Sequence, residues 1–217
     1  AASSIVRAVG TDWIAALGYF HHAEDVIAGV PVRAVRLSYV GEAGWEMTCR
    51  KEDALRLYDV LYEAGAHPSG LYAQTSMRIE KRYLAMGHDL DADVTPLEAG
   101  VDFAINWSKP FIGRDALARR RDAGVASRLA SIALDDESAV PLGNEPIYLA
   151  DQIIGKTTSA AFGYRVGYPV ALAYLETTDI GEIEGLRVEV DIARERFAGT
   201  ASLKAAFDPS GGRLRAI

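Results

Sequence analysis

The sequence predicts an α+β protein in two parts, a region of helices and one hairpin followed by a region of short strands. Two observations separate the parts. Helical apolar spacing and helix start and stop signals are confined to residues before 124. After residue 128 the chain has short β-rich runs separated by Gly, Pro, Asp and Glu turns, which favours a small barrel or sandwich. We therefore expect one domain over residues 1–124 and a second over 125–217.

The first elements are predicted from apolar runs and from the glycines that lie between them. A short helix is expected over Ile5–Val9, within a weakly patterned opening. Apolar runs at Val35–Val40 and Trp45–Met47 then flank a turn bounded by Gly41 and Gly44. Because glycine adopts turn angles that other residues resist, this pattern predicts a strand, a tight turn and a second strand.

The unusual residue of this hairpin is Glu46, a carboxylate between two apolar neighbours. Alternate side chains of a strand face opposite sides, so Tyr39 on the preceding strand is expected to meet Glu46 across the hairpin. An acid beside a phenol suits a planar ligand with paired N–H donors, such as a pterin or guanine edge. The alternative is an exposed strand face with a solvated acid.

Four helix signals and one strand complete the first region. Residues Glu52–Ala64 and Leu71–Ala85 have helical apolar spacing, and a glycine stop follows each. Thr95–Glu98 is a capping-box sequence that marks another helix start. A strand is expected over Val101–Trp107, and a last helix ends before Gly124.

The second region is predicted from runs short enough to be single strands. The six expected strands are Leu129–Leu134, Pro146–Leu149, Gln152–Thr158, Ala171–Leu175, Leu186–Ile192 and Ala198–Lys204.

Composition argues against several functional classes. The net charge of −7 disfavours a nucleic-acid partner, which needs clustered Lys and Arg. No apolar segment approaches the length of a membrane span. The single cysteine, Cys49, fits a reducing compartment, so we expect a cytoplasmic protein. Asp89, Asp91 and Asp93 lack the glycine and glutamate spacing of a calcium loop, and no metal site is expected.

Seven segments of the chain form an ordered set of motifs: Ser38–Glu46, Ser76–Glu80, Gly87–Leu90 with Thr95–Gly100, Phe111–Leu117, Gly155–Ser159, Ala171–Tyr174 and Phe207–Pro209. In this order they resemble motifs of the glycine-cleavage T-protein (aminomethyltransferase) superfamily, and the resemblance covers about residues 33–217. This resemblance implies an α+β fold in which an incomplete folate-binding domain precedes a small antiparallel β-barrel.

The helix motif indicates the subgroup. Glu80 and Lys81, with Tyr83 and Gly87–Asp89, resemble the folate domains fused to sarcosine and dimethylglycine dehydrogenases. Arg78 and Lys81 are expected to be structural, pairing with Glu80 or with loop carbonyls.

The resemblance implies folate contacts at named residues. Tyr39 and Glu46 match the family's folate-contacting Tyr and Glu, and Gln74 stands where a folate-contacting Arg is expected. Arg213 and Arg215 are candidates for binding the glutamate tail of folate, with a surface role as the alternative.

The implied chemistry is the capture of an oxidised N-methyl or aminomethyl carbon by tetrahydrofolate, giving methylenetetrahydrofolate. The implied partners are folate, a small N-methylated amine or amino acid, and a flavin domain, in cis or in trans, that would carry FAD. The family's catalytic Asp is expected in an opening segment that this chain lacks. No catalytic residue is therefore assigned, and the isolated chain is expected to be inactive.

Two other functions remain open. One is a degenerate family member that serves as a structural or inter-subunit domain without folate, motivated by Gln74 and the absent opening segment. The other is a glycine-cleavage aminomethyltransferase.

Overall fold

The computed structural model describes residues 2–9, 12–177 and 179–215. These residues form two compact units. The first contains the chain up to Gln74 together with the segment from Ser210 onward, and the second is Thr75–Pro209. The domain boundary near residue 124 stays a prediction.

The first unit contains a three-stranded antiparallel sheet in the order β1-β2-β3. Its elements, in chain order, are α1 (Ala2–Ala8), α2 (Asp12–Ala15), β1 (His22–Ile27), β2 (Val30–Val35), β3 (Glu46–Thr48), a 3₁₀ turn (Lys51–Asp53), α3 (Ala54–Glu63) and the start of α4 (Leu71–Glu80). The helix predicted over Glu52–Ala64 is confirmed as α3 with its 3₁₀ turn, whereas β1 was not predicted.

One face of this sheet packs on the helices. Val30, Val32 and Ala34 alternate with exposed residues along β2 and are buried. They join Ile14 and Leu57 in one apolar cluster. Because side chains alternate along a strand, the opposite face of β2 lies toward solvent.

The prediction of a tight turn around Gly41 and Gly44 is wrong. Strand β2 ends at Val35 and β3 begins at Glu46, so a ten-residue loop connects them. The buried Arg36 follows β2. Its amide donates to the carbonyl of His21 at 2.9 Å, and its guanidinium donates to the carbonyl of Leu17 at 2.8 Å, which fixes this end of the loop. At the other end of the loop, the indole of Trp45 donates to the carbonyl of Ile14 at 2.9 Å.

Helix α4 ends at Glu80, five residues before the predicted end. The amide of Tyr83 donates to the carbonyl of Arg78, and the amide of Arg82 donates to the carbonyl of Ile79, both at 2.8 Å. Arg82 has φ +57°. This is the double hydrogen bond that closes many helices, with a left-handed residue at the first position beyond the end. The helical spacing of apolar residues continues beyond Glu80, so the sequence predicted a longer helix.

The second unit begins with short elements. Helix α5 (Pro96–Ala99) has the predicted capping box, in which Thr95 accepts from the amide of Glu98 and the Glu98 side chain accepts from the amide of Thr95. The predicted strand over Val101–Trp107 is wrong, since a 3₁₀ turn occupies Asp102–Ala104. Helix α6 (Arg114–Ala123) is confirmed.

The predicted antiparallel barrel is confirmed. Its six strands close in the order β4-β7-β6-β5-β8-β9. They are β4 (Ser127–Leu134), β5 (Pro146–Leu149), β6 (Gln152–Gly163), β7 (Tyr168–Glu176), β8 (Arg187–Ile192) and β9 (Glu195–Ser202), and a 3₁₀ turn (Ile180–Ile183) lies between β7 and β8. Ile132, Ile147, Leu175 and Val190 are buried in the barrel core. Helix α7 (Gly212–Arg215) follows and belongs to the first unit.

Candidate functional site

Glu46 lies at the start of β3, on the sheet face away from the apolar cluster. Its neighbour Met47 packs against that cluster, so Glu46 and Thr48 point the other way and are exposed. No hydrogen bond or ion pair to the Glu46 carboxylate occurs within the described part of the chain. Both carboxylate oxygens are therefore available to a ligand.

Tyr39 occupies the loop between β2 and β3 and is 38% exposed. The residue paired with Glu46 is Val35. The expectation that Tyr39 lies on a strand and meets Glu46 across a tight hairpin is therefore wrong, because β2 ends before Tyr39 is reached. Whether Tyr39 contacts a ligand stays a prediction.

The other three predicted residues lie at helix positions of the same unit and are exposed. Gln74 is the fourth residue of α4. Arg213 and Arg215 are on α7, where Arg213 Nη1 lies 3.8 Å from Glu42 Oε1. The backbone carbonyl of Arg215 accepts from Arg36 Nη2 at 3.4 Å, which holds α7 while the Arg215 side chain remains exposed.

An open groove of about 430 Å³ lies along the sheet of this unit. Arg33 and Thr48, which face each other across β2 and β3, both line it. Glu46 and Val35 form the next pair on the same face. The groove volume is within the range of small-molecule sites. Glu46 does not line the groove, and neither do the other four predicted site residues. The exposed carboxylate and the groove therefore share one face of the sheet without forming one pocket.

Two family models match the chain over most of its length. The model of the GCVT N-terminal domain matches residues 1–109, and that of the glycine cleavage T-protein C-terminal barrel domain matches residues 128–208. The chain belongs to the glycine cleavage T-protein family.

Relatives of this chain include both dehydrogenases and aminomethyltransferases. Human mitochondrial dimethylglycine dehydrogenase is 35% identical over 79% of this chain and 20% of its own length. Human mitochondrial sarcosine dehydrogenase is 37% identical over 88% of this chain and 22% of its own length. An aminomethyltransferase of Thermosynechococcus vestitus is 36% identical over 72% of this chain and 43% of its own length.

The chain therefore spans about a fifth of the length of these dehydrogenases and less than half of that aminomethyltransferase. The crystal structure of the glycine cleavage system aminomethyltransferase T from Bartonella henselae has a similar fold, with a TM-score of 0.84 at 21% identity. That similarity covers 95% of this chain and 57% of the other.

Several residues of the segments that resemble family motifs are buried in the structure and are not open to a ligand. Arg78 Nη1 lies 2.5 Å from Asp89 Oδ2, and the Asp89 side chain has no solvent exposure. Asp89 also accepts from Thr158 Oγ1 at 2.5 Å, and Arg78 donates to Ser159 Oγ at 2.7 Å. The Asp89 motif thus ties α4 to barrel strand β6. Sequence analysis considered Asp89 only as part of a rejected calcium loop and missed this role, although the motif resemblance includes the position.

Tyr174 extends this network. Its hydroxyl donates to the backbone carbonyl of Asp89 at 2.8 Å. Burial raises the pKa of Tyr174 to about 12, and the negative charge of Asp89 acts in the same direction. The neutral phenol is therefore the stable form in the folded protein.

A second buried network follows the end of α4. Glu80 accepts from the Arg165 amide at 2.7 Å and from Arg165 Nε at 2.5 Å. Lys81 Nζ lies 3.0 Å from Asp208 Oδ2. The pairing with loop carbonyls expected for Arg78 and Lys81 is confirmed, since they donate to the carbonyls of Tyr83 and Asp208. Their acidic partners are Asp89 and Asp208 rather than Glu80.

Other chemistries have less support. Among residues 2–9, 12–177 and 179–215, no three His, Cys, Asp or Glu side chains are placed to hold a metal ion. No helix in the described ranges is long and apolar enough to cross a bilayer. Cys49 is a free thiol that packs against the apolar cluster of the first unit.

Proposed function

We propose that this chain is the tetrahydrofolate-binding, one-carbon transfer module of a demethylating oxidoreductase similar to sarcosine and dimethylglycine dehydrogenases. Membership of the glycine cleavage T-protein family supports the folate part of the proposal. The similarity to dimethylglycine and sarcosine dehydrogenases, together with the Glu80-Lys81 motif, supports the subgroup. The proposed substrates are folate and a small N-methylated amine or amino acid. A flavin domain that carries FAD, in cis or in trans, is part of the proposal, as is a cytoplasmic location.

The observation that carries the proposal is the exposed carboxylate of Glu46, which has no partner within the described part of the chain. A carboxylate accepts two parallel N–H bonds from a 2-amino-4-oxo-pyrimidine edge, the edge that a pterin presents. Charge-assisted bonds of this kind contribute roughly 1.5–3 kcal/mol each. The acceptor chemistry of Glu46 therefore fits the pterin ring.

The remaining predicted residues fit other parts of a reduced folate. The hydroxyl of Tyr39 donates or accepts a hydrogen bond, and the amide of Gln74 does both without charge. The guanidinium groups of Arg213 and Arg215 match the carboxylates of the glutamate tail. Tetrahydrofolate supplies the nitrogen atoms to which a one-carbon unit is transferred. The role of this chain is to bind and orient that acceptor.

The test is titration with 5-formyltetrahydrofolate, a stable reduced folate. Glu46→Gln keeps the side-chain shape but places an N–H donor against a pterin N–H. We expect affinity to fall at least about tenfold, since a mispaired polar contact costs about 1–3 kcal/mol. Glu195→Gln is the matched control, because Glu195 is also an exposed carboxylate at the start of a strand.

Two outcomes would contradict the proposal. If wild type and Glu46→Gln bind the folate equally, Glu46 does not contact the pterin. If the wild-type chain does not bind the folate at all while it remains folded, the structural or inter-subunit function becomes the better interpretation, and Gln74 in place of an Arg is its motivation.

A further inference from the structure

Two arginines of the second unit lie close together in the turn after α4 and at the start of β4. Arg82 Nη2 donates to the carbonyl of Leu129 at 2.6 Å, and Arg128 precedes that residue. Arg128 Nη1 donates to the carbonyl of Leu97. Burial and then the charge of Arg128 lower the pKa of Arg82, while Tyr174 acts in the opposite direction. Two like charges therefore share a partly buried location.

Neither arginine has an acidic partner within the described part of the chain. Arg78 and Arg165 of the same unit are each paired with a carboxylate. The Nε atoms of Arg82 and Arg128 are buried without a hydrogen-bond partner. One terminal nitrogen of each, Arg82 Nη1 and Arg128 Nη2, makes no hydrogen bond to any residue in the ranges that the structure describes. Both guanidiniums thus retain donors for another acceptor.

The backbone around the two side chains departs from what stability alone favours. Arg82 has φ +57° at the residue that follows the helix end, where glycine is the preferred residue. Gly100 has φ +71° at the end of α5, and a Cβ there would lie 2.8 Å from Arg128 Nη2, so the guanidinium packs over this glycine. Arg82 thus has a backbone conformation that disfavours a side chain, and Arg128 lies against a helix end.

We propose that Arg82 and Arg128 together bind an oxyanion, a phosphate or a carboxylate. The planar guanidinium presents several donors in a geometry that matches both groups, and two positive charges in one partly buried region attract a negative charge. The anion would supply the countercharge that the described residues do not. This site is independent of the folate contacts proposed for the first unit.

The experiment measures thermal unfolding of the full 217-residue chain in a buffer free of phosphate and carboxylate. Inorganic phosphate is titrated in one series and glutarate in another, each against sodium chloride at the same ionic strength. A ligand that binds only the folded state raises the melting temperature with its concentration. We expect phosphate, glutarate or both to raise it more than chloride, and the active series identifies the class of anion.

The decisive variant is Arg82→Gly, which removes the guanidinium and supplies the residue that the backbone prefers. It also removes the hydrogen bond to the carbonyl of Leu129, so its melting temperature without anion is the reference for its own titration. We expect Arg82→Gly to bind the anion about tenfold or more weakly, as expected for loss of a charge-assisted contact. Arg194→Gly is the matched control, because Arg194 is exposed, has φ +73°, and changes the charge equally. Arg194→Gly should respond to the anion as wild type does.

Two results would overturn the inference. One is that neither phosphate nor glutarate stabilises wild type beyond the effect of chloride. The other is that Arg82→Gly and Arg194→Gly respond to the anion alike, in which case the stabilisation arises from overall charge.

Discussion

The end of α4 and the exposed face of β3 place their charged residues in opposite environments. Arg78, Glu80 and Asp89 are at most 4% exposed, and each is bound to an oppositely charged side chain. Glu46 on β3 is exposed and has no partner within the described ranges. All four lie in segments that match motifs of one family, so motif membership does not distinguish them.

The contrast separates two uses of charge. A buried charge must be paired and hydrogen-bonded, because removing it from water is costly. Loss of its partner therefore destabilises the folded protein. An exposed carboxylate without a protein partner adds little to folding and remains available to a ligand. The mutations below are arranged from the largest expected loss of stability to the smallest, and each tests one side of this contrast.

Asp89→Asn should have the largest effect. It leaves Arg78 buried without its countercharge, and removal of one member of a buried pair costs about 3–5 kcal/mol of unfolding free energy. Urea denaturation measures the change. Asp135→Asn is the control, since its ion pair with Arg187 is more than half exposed and should contribute far less. Equal losses in the two variants would remove the distinction between buried and exposed pairs.

Tyr174→Phe should cost about 1–3 kcal/mol, since the buried carbonyl of Asp89 loses a hydrogen bond. The pH dependence is a second readout. The folded pKa of Tyr174, about 12, is above its ordinary value of 10.0. The tyrosine therefore contributes stability that is fully present below pH 10.0 and is lost as the pH rises toward about 12.

The alkaline loss of stability is measured by denaturation of wild type and Tyr174→Phe between pH 9 and pH 12, about the range over which a phenol titrates. The loss of stability with rising pH should be shallower in the variant. Tyr164→Phe, at a site 82% exposed, should keep the wild-type profile. An unchanged slope in Tyr174→Phe would show that other groups cause the alkaline loss.

Thr95→Ala should cost about 0.5–2 kcal/mol, because it removes the N-cap of α5. Glu98, the other member of the capping box, gives an acid-side readout. Burial raises the pKa of Glu98, but hydrogen bonds from Arg120 and Thr95 outweigh it, so the pKa lies below 4.5. The stability that Glu98 contributes is present above pH 4.5 and is lost as the pH falls through the lowered value.

Denaturation of Glu98→Gln against wild type tests the acid-side dependence. The difference between them should shrink below pH 4.5, whereas Glu137→Gln, in an exposed loop, should show no such trend. A difference that stays constant across this range would mean that Glu98 stabilises the fold through shape rather than charge.

Glu46→Gln should have the smallest effect on folding, within roughly 0.5 kcal/mol, as for most exposed substitutions. Thermal melts made beside the folate titration measure it. If the variant instead unfolds, Glu46 is an architectural residue, and the contrast with the end of α4 fails.

Local patterns were sufficient for much of the fold. The capping box at Thr95, helices α3 and α6 and all six barrel strands follow from signals within a few residues. Even where strand ends differ, as for β6, the turn residues between strands locate each element. These features could be predicted because helix capping, turn conformation and the alternation of side chains depend mainly on adjacent residues.

Tertiary contacts decided what local patterns could not. The pairing of β2 with β3 stops at Val35 and Glu46, which leaves Tyr39 in a loop rather than on a strand. Asp89 became an architectural residue only because β6 brings Thr158 and Ser159 to α4. From the sequence alone, Glu46 and Asp89 are both motif carboxylates. Burial and pairing depend on residues far along the chain, and only the folded structure brings those residues together.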